Sequence, residues 1–193
     1  MKEPARLDKH STALVVIDLQ HGIVSIPTQP HEPEKVVSNA ARLADAFRKN
    51  GMPVFLVRVT PSADMKDRLD PPADNPMQMS SQRPADWSEI VSELGPKQGD
   101  LVVTKRQWGA FYGTELDLQL RRRRIETIVL CGIATNIGVE STARFAYEYG
   151  YRQVFAEDAM SARSKEEHDH TVAVTFPRIG RVRKTGEILA GME

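Results

Sequence analysis

Ala13-Leu14-Val15-Val16-Ile17-Asp18-Leu19-Gln20 opens the interpretable part of the chain, and its first five residues are apolar without a break. A run this short that does not alternate with polar residues reads as a β-strand covered on both faces, the pattern of a parallel sheet. It ends on a carboxylate, Asp18.

Working outward, short β-rich runs alternate with helical stretches. Val36 to Asn50 places Val36, Ala40, Leu43, Ala44 and Phe47 three or four residues apart, and Gly51 follows as a helix-ending glycine. Val54 to Val57 reads as a second strand and Asp100 to Thr104 contains a third. Leu116 to Arg123 reads as helix, Thr127 to Cys131 as strand, Ile137 to Tyr149 as helix and Gln153 to Ala156 as strand. Ser164 to Val174 is a further expected helix, with Gly180-Arg181-Val182 as a sixth strand. Alternating β and α elements predict an α/β fold with a parallel sheet covered by helices on both faces. A length of 193 residues fits a single domain, 1–193.

One segment breaks the rhythm. Residues 61–99 carry Pro71, Pro72, Pro76, Pro84 and Pro96, with Met77 and Met79 flanking Gln78. A connection of this length is typically a lid or binding loop, and a surface excursion or oligomer contact is the alternative.

The bulk composition excludes several classes. Lys plus Arg and Asp plus Glu are 26 each, so no net field draws the chain to nucleic acid or an anionic membrane. No apolar run follows the first basic residues before Thr12, and no apolar stretch reaches the roughly 20 residues of a membrane span. Cys131 is the single cysteine, so no intrachain disulfide forms, which fits a reducing, cytoplasmic compartment.

In parallel sheets, ligands sit beyond the carboxyl ends of the strands. Three such ends carry candidates. Asp18 follows the first strand and reads equally as a reactive acid or a helix cap. Lys105 follows the third strand and precedes Arg106-Gln107-Trp108-Gly109-Ala110-Phe111-Tyr112, where cations beside aromatics suit a planar or anionic substrate. A surface ion pair and core packing are the alternatives there. Gly132 to Gly138 joins a strand to a helix, and its small residues let backbone N–H groups approach a ligand. Its glycine spacing is not a dinucleotide fingerprint, and no cofactor is expected.

These stretches together resemble the isochorismatase-like hydrolases, a superfamily that includes nicotinamidases. The resemblance rests on residues 13–20, Val103 to Phe111, Leu130 to Ala146 and Ala156-Glu157-Asp158-Ala159, in the family's order. It implies a Rossmann-like, three-layer α/β/α sandwich with a parallel sheet of about six strands. It places the family's catalytic aspartate at Asp18 and lysine at Lys105. The position of the family's nucleophilic cysteine falls on Gly138, which has no side chain. Amide hydrolysis through a thioester needs a thiolate, so the resemblance points instead to the non-covalent chemistry of isochorismatases. There the aspartate protonates the vinyl carbon of the substrate and water completes the cleavage. Gln20, Trp108, Phe111 and Tyr112 are the expected pocket residues, with Ile133, Ala134, Thr135, Asn136 and Ile137 forming its floor. The family also implies a cis peptide at Ile133–Ala134, aiming N–H groups at a substrate oxygen as an oxyanion hole does.

Nicotinamidases hold a metal through Asp-X-His and a further histidine after the second strand. Here Arg58 to Asp64 contains no histidine, and no catalytic metal is expected. His168 and His170 are two apart on one expected helix and do not share a face, so both read as solvated. Arg121 to Arg124 reads as a solvated helix end, where cations complement the dipole. Asp158, with Ser161 and Ser164, reads as a turn or cap, and Cys131 as a small core residue. The expected partner is a small, anionic substrate, and the resemblance implies a homo-oligomer, a dimer or tetramer. Two other readings stay open: a catalytically silent member that binds a metabolite or acts through assembly, and an amidase using Cys131.

Overall fold

The computed structural model describes residues 6–76 and 83–192. Its six strands are β1 (Thr12–Ile17), β2 (Val54–Val59), β3 (Leu101–Lys105), β4 (Thr127–Ile133), β5 (Arg152–Ser161) and β6 (Arg181–Arg183). They form one sheet in the order β3-β2-β1-β4-β5-β6, and every pairing is parallel. The order reverses between β1 and β4, which makes their carboxyl ends the topological switch point of the sheet.

β1 is buried along its whole length because its two faces serve two cores. Leu14 and Val16 pack with α2 (Pro33–Lys49) through Val36, Ala40, Leu43 and Phe47. Ile188 of α7 (Thr185–Ala190) joins that core. Ala13, Val15 and Ile17 face the opposite core, with Leu116 and Leu120 of α3 (Leu116–Arg122). Ala143 and Ala146 of α4 (Glu140–Glu148) and Phe176 of α6 (Phe176–Ile179) complete it. Two helical layers therefore sandwich the sheet, as the unbroken apolar run of β1 predicts.

Several boundaries differ from the sequence reading. The helix expected over Ile137 to Tyr149 begins as a π-helical turn, Thr135–Val139, before α4. The helix expected over Ser164 to Val174 is α5 (Lys165–His170), a π-helical turn at Thr171–Thr175, and then α6. Short α1 (His21–Val24) and α7 lack an apolar period long enough to find in the sequence. β5 extends well past Ala156 to Ser161. It advances from Phe155 to Met160 while β4 advances only from Leu130 to Gly132, so its middle bulges from the ladder. Polar Glu157 and Asp158 occupy that bulge, which hides the strand's continuation from a pattern reading.

The described part of 61–99 holds no helix or extended strand. Its second half is nevertheless docked. Val91 and Leu94 are buried in the α2 core, and Ile90 bridges to Gln20. The Trp87 ring lies where a side chain on Gly22 would sit, 2.0 Å from an added Cβ. Met77, Gln78 and Met79 fall outside the described residues.

Candidate functional site

Asp18 caps the end of β1 with φ at +54°, a left-handed conformation uncommon outside glycine. Its backbone N–H is bonded to the Val57 carbonyl at 2.9 Å, which fixes where the side chain starts. Lys105 ends β3, two strands away, and its long stem reaches past β2. The Lys105 Nζ donates to Asp18 Oδ2 at 2.7 Å, to the Trp108 carbonyl at 2.8 Å and to the Gln107 carbonyl at 3.1 Å. All three ammonium donors are therefore satisfied inside the protein. Both side chains are buried, Lys105 almost completely.

Asp18 is not fully satisfied. Its Oδ1 is buried without a hydrogen-bond partner among the described residues. Burial raises the Asp18 carboxyl above its ordinary range, and the charge and hydrogen bond of Lys105, with a smaller pull from the Val59 backbone N–H, oppose that rise. Gly138 lies beside the pair. A Cβ at this position would stand 3.1 Å from Asp18 Oδ2 and 3.0 Å from Ile17 Cγ2. With glycine at 138, no side chain presses on the carboxylate from this side.

The strand that leads to Gly138 approaches β1 closely. Gly132 has φ at +125°, and an added Cβ would lie 2.0 Å from the Ile17 carbonyl oxygen, so no other residue fits. The following peptide, Ile133–Ala134, is cis. Thr142 Oγ1 donates to the Gly138 carbonyl at 2.7 Å and accepts from the Ala110 N–H at 3.1 Å, tying the turn to the loop after Lys105. Asn136 is half-buried and its Oδ1 has no partner among the described residues. Ile137 is half-buried.

The expected pocket aromatics divide. Trp108 is half-exposed and contributes its carbonyl to Lys105. Phe111 is a core residue, packed against Tyr149 and Tyr151. Tyr112 is 73% exposed, and its carbonyl accepts from Gln107 Nε2. Gln20 is fully buried and its amide is occupied by backbone. Its Nε2 donates to the Val59 and Trp87 carbonyls, and its Oε1 accepts the Val59 N–H. Gln20 therefore fastens the end of β1 to β2 and to the docked half of 61–99.

The expectation that His168 is solvated is corrected. His168 is buried, and its Nδ1 lies 2.8 Å from Thr135 Oγ1. Burial, with His31 beside it, lowers its pKa from 6.5 to about 4, so the ring is neutral. His170, on the same helix, is exposed. The partners of His168 are His31 and Glu157, and together these three could hold a metal ion: one ligand atom from each lies within 4.8 Å of the others. No local spacing signals this group, because its members come from distant segments.

The remaining candidates take structural parts. Asp158 Oδ1 accepts the Thr185 N–H at 2.6 Å and the Thr185 hydroxyl at 2.7 Å, holding the start of α7. Ser164 forms a capping box with Glu167. Cys131 is buried in the α2 core, and burial pushes its thiol up, away from a reactive thiolate. Arg121 lies over the Tyr151 ring and bonds Asp117 and the Tyr149 carbonyl at the exposed end of α3.

The isochorismatase domain family matches residues 12–187. The uncharacterized isochorismatase family protein YwoC of Bacillus subtilis (strain 168) is 55% identical over 98% of each chain. The ureidoacrylate amidohydrolase RutB of Variovorax paradoxus is 31% identical over 81% of this chain and 71% of its own. The structure of an isochorismatase family protein from Burkholderia thailandensis superimposes with a TM-score of 0.93. It is 43% identical, covering 98% of this chain and 99% of the other.

Proposed function

The chain belongs to the isochorismatase family, and from that premise we propose that it hydrolyses a small, anionic metabolite by proton transfer at Asp18, without a cysteine nucleophile. The observation that carries this reading is the orphaned Asp18 Oδ1. A buried carboxyl oxygen without a partner is costly unless a ligand completes it. Oδ2 is held by the ammonium, so Oδ1 is the atom left to carry and deliver a proton.

Burial favours the protonated acid that such a step requires, while Lys105 favours the carboxylate. An anionic substrate next to Lys105 would take up part of the ammonium's field and free the acid to donate. Glycine at 138 would spare the carboxylate a competing side chain as the substrate approaches. The step needs no metal and no covalent intermediate: the proton leaves Oδ1 for the vinyl carbon, water adds to the resulting oxocarbenium ion and returns a proton to the carboxylate, and the hemiketal so formed collapses with cleavage of its C–O ether bond, releasing a carbonyl product and an alcohol. The turn from Ile133 to Ile137, with the unpartnered Asn136 Oδ1, would form the floor, and Trp108 one edge.

The test is turnover by purified wild type and Asp18→Asn on a panel of vinyl ethers, ureido acids and amides, with folding checked by circular dichroism. The reading expects wild-type cleavage of an anionic member and its loss in Asp18→Asn. Equal turnover by a folded Asp18→Asn removes Asp18 from the reaction. Saturable binding with no turnover of any member would favour a silent, metabolite-binding role. Full activity in Cys131→Ala is expected.

The same reading includes a cytoplasmic homo-oligomer. The support for assembly is that Trp108, Phe145, Tyr147 and Tyr149 are each exposed, the rings of Phe145 and Tyr149 lying 6.2 Å apart. Sedimentation across a dilution series measures the assembly. No helix among the described residues is long and apolar enough to cross a membrane.

A further inference from the structure

Three segments meet on the β5 side of the switch point. His31 follows the cis Gln29–Pro30 peptide just before α2, Glu157 lies in the β5 bulge, and His168 lies on α5. The His31 Nε2 and the His168 Nε2 are both buried, and neither has a hydrogen-bond partner among the described residues. Glu157 Oε1 stands 3.6 Å from His31 Nε2, too far for a hydrogen bond. The two rings are 5.8 Å apart and nearly perpendicular, so they are not stacked on each other.

Two imidazoles and a carboxylate thus bring one ligand atom each to a single place. Two imidazoles and one carboxylate are a recurrent ligand set for zinc, leaving a fourth position for water or another oxygen ligand. A tetrahedral ion with bonds near 2.0–2.1 Å places its ligand atoms about 3.3 Å apart. The ligand atoms here lie within 4.8 Å of one another, so a small contraction completes the site.

The surroundings are organised as for a metal site. Thr135 Oγ1 engages His168 Nδ1, which fixes the ring and leaves Nε2 as the free nitrogen. The His31 backbone is pinned on both sides. Its N–H donates to Ser161 Oγ at 3.2 Å, its carbonyl accepts from Thr28 Oγ1 at 2.7 Å, and Gln29 bridges to Ala162.

We propose that His31, Glu157 and His168 bind one zinc-class divalent cation, which fastens the segment before α2 to β5 and α5. Through Thr135 this clamp reaches the same turn that carries Gly138 to Asp18. Its role is to position that turn, and the proton transfer at Asp18 is not routed through it. The proposal stands on the cluster alone and is tested without reference to turnover.

The experiment uses the full chain after chelator treatment and dialysis against Zn²⁺, with bound metal measured per chain. Co²⁺ serves as a spectroscopic probe, since a tetrahedral site gives strong visible absorption. The expected result is one ion per chain, undisturbed by excess Mg²⁺. His31→Ala and Glu157→Gln alter half-buried residues and should each weaken binding at least 100-fold. Thr135→Val should weaken it about 10- to 100-fold, as loss of an outer hydrogen bond to a metal-bound imidazole does. His170→Ala, a surface control, should leave binding unchanged. Absence of saturable binding at one ion per chain overturns the proposal, as does binding that survives His31→Ala and Glu157→Gln in folded protein.

Discussion

Two buried polar groups flank the switch point, and they are finished to different degrees. At Asp18 and Lys105 the protein supplies almost everything: the ammonium has three acceptors, and one carboxyl oxygen alone lacks a partner. At His31, Glu157 and His168 the two Nε2 atoms are buried with no partner among the described residues. A buried polar atom left alone is unfavourable. The first arrangement therefore asks for a ligand at one atom, and the second for a ligand at its centre. One suits a transient guest that accepts a proton, the other a resident ion.

The most severe way to break this contrast is Asp18→Asn. If Oδ1 delivers the proton, turnover on an identified substrate should fall about 10²- to 10⁴-fold, measured as kcat with folding verified. Next comes Lys105→Met, which leaves the Asp18 carboxyl buried without its ammonium. Chemical denaturation should show a loss of about 3–5 kcal/mol, the usual cost of breaking a buried ion pair from one side. A loss below about 1 kcal/mol would mean that the pair is not tightly held in solution.

The second region is sharpened by adding metal. Zn²⁺ at about a hundredfold above its Kd should stabilise the chelated protein by about 2.7 kcal/mol, read as a rise in Tm that His31→Ala abolishes. Smaller again is Gly138→Ala. The new Cβ would meet Ile17 and Asp18 at 3.0 and 3.1 Å, so crowding should cost about 1–2 kcal/mol in stability and disturb the carboxylate directly. The gentlest test is pH. Burial raises the Asp18 carboxyl above its ordinary 3.8, so the folded chain keeps a proton that the unfolded chain releases. The stability this contributes is present below the unfolded value and is lost as pH rises through the folded one. The stability of wild type relative to Asp18→Asn should therefore decline with rising pH across that window, and a flat difference would contradict the raised value.

What could be read from the amino acids tracks how local each signal is. β1 announces itself because five consecutive apolar residues can be hidden only between two layers, and Asp18 follows from where that run stops. Lys105 and the 133–138 turn are legible for the same reason, each being the end of a strand. Phe111 and Gln20 mislead, since a residue near a site looks the same whether it faces the ligand, the core or a neighbouring backbone. His168 is misread because a helix shows only its own spacing. Its partners arrive from before α2 and from a strand irregularity, and only the folded chain brings them together.

The bulge in β5 has a consequence for how the chain can vary. The extra residues between Phe155 and Met160 put Glu157 beside His31, while Asp158 grips the first residue of the last helix. A deletion that restored an even ladder would release both at once. Helix α7 and the histidine pair are therefore yoked: any change in the length of this strand is felt at both attachments together.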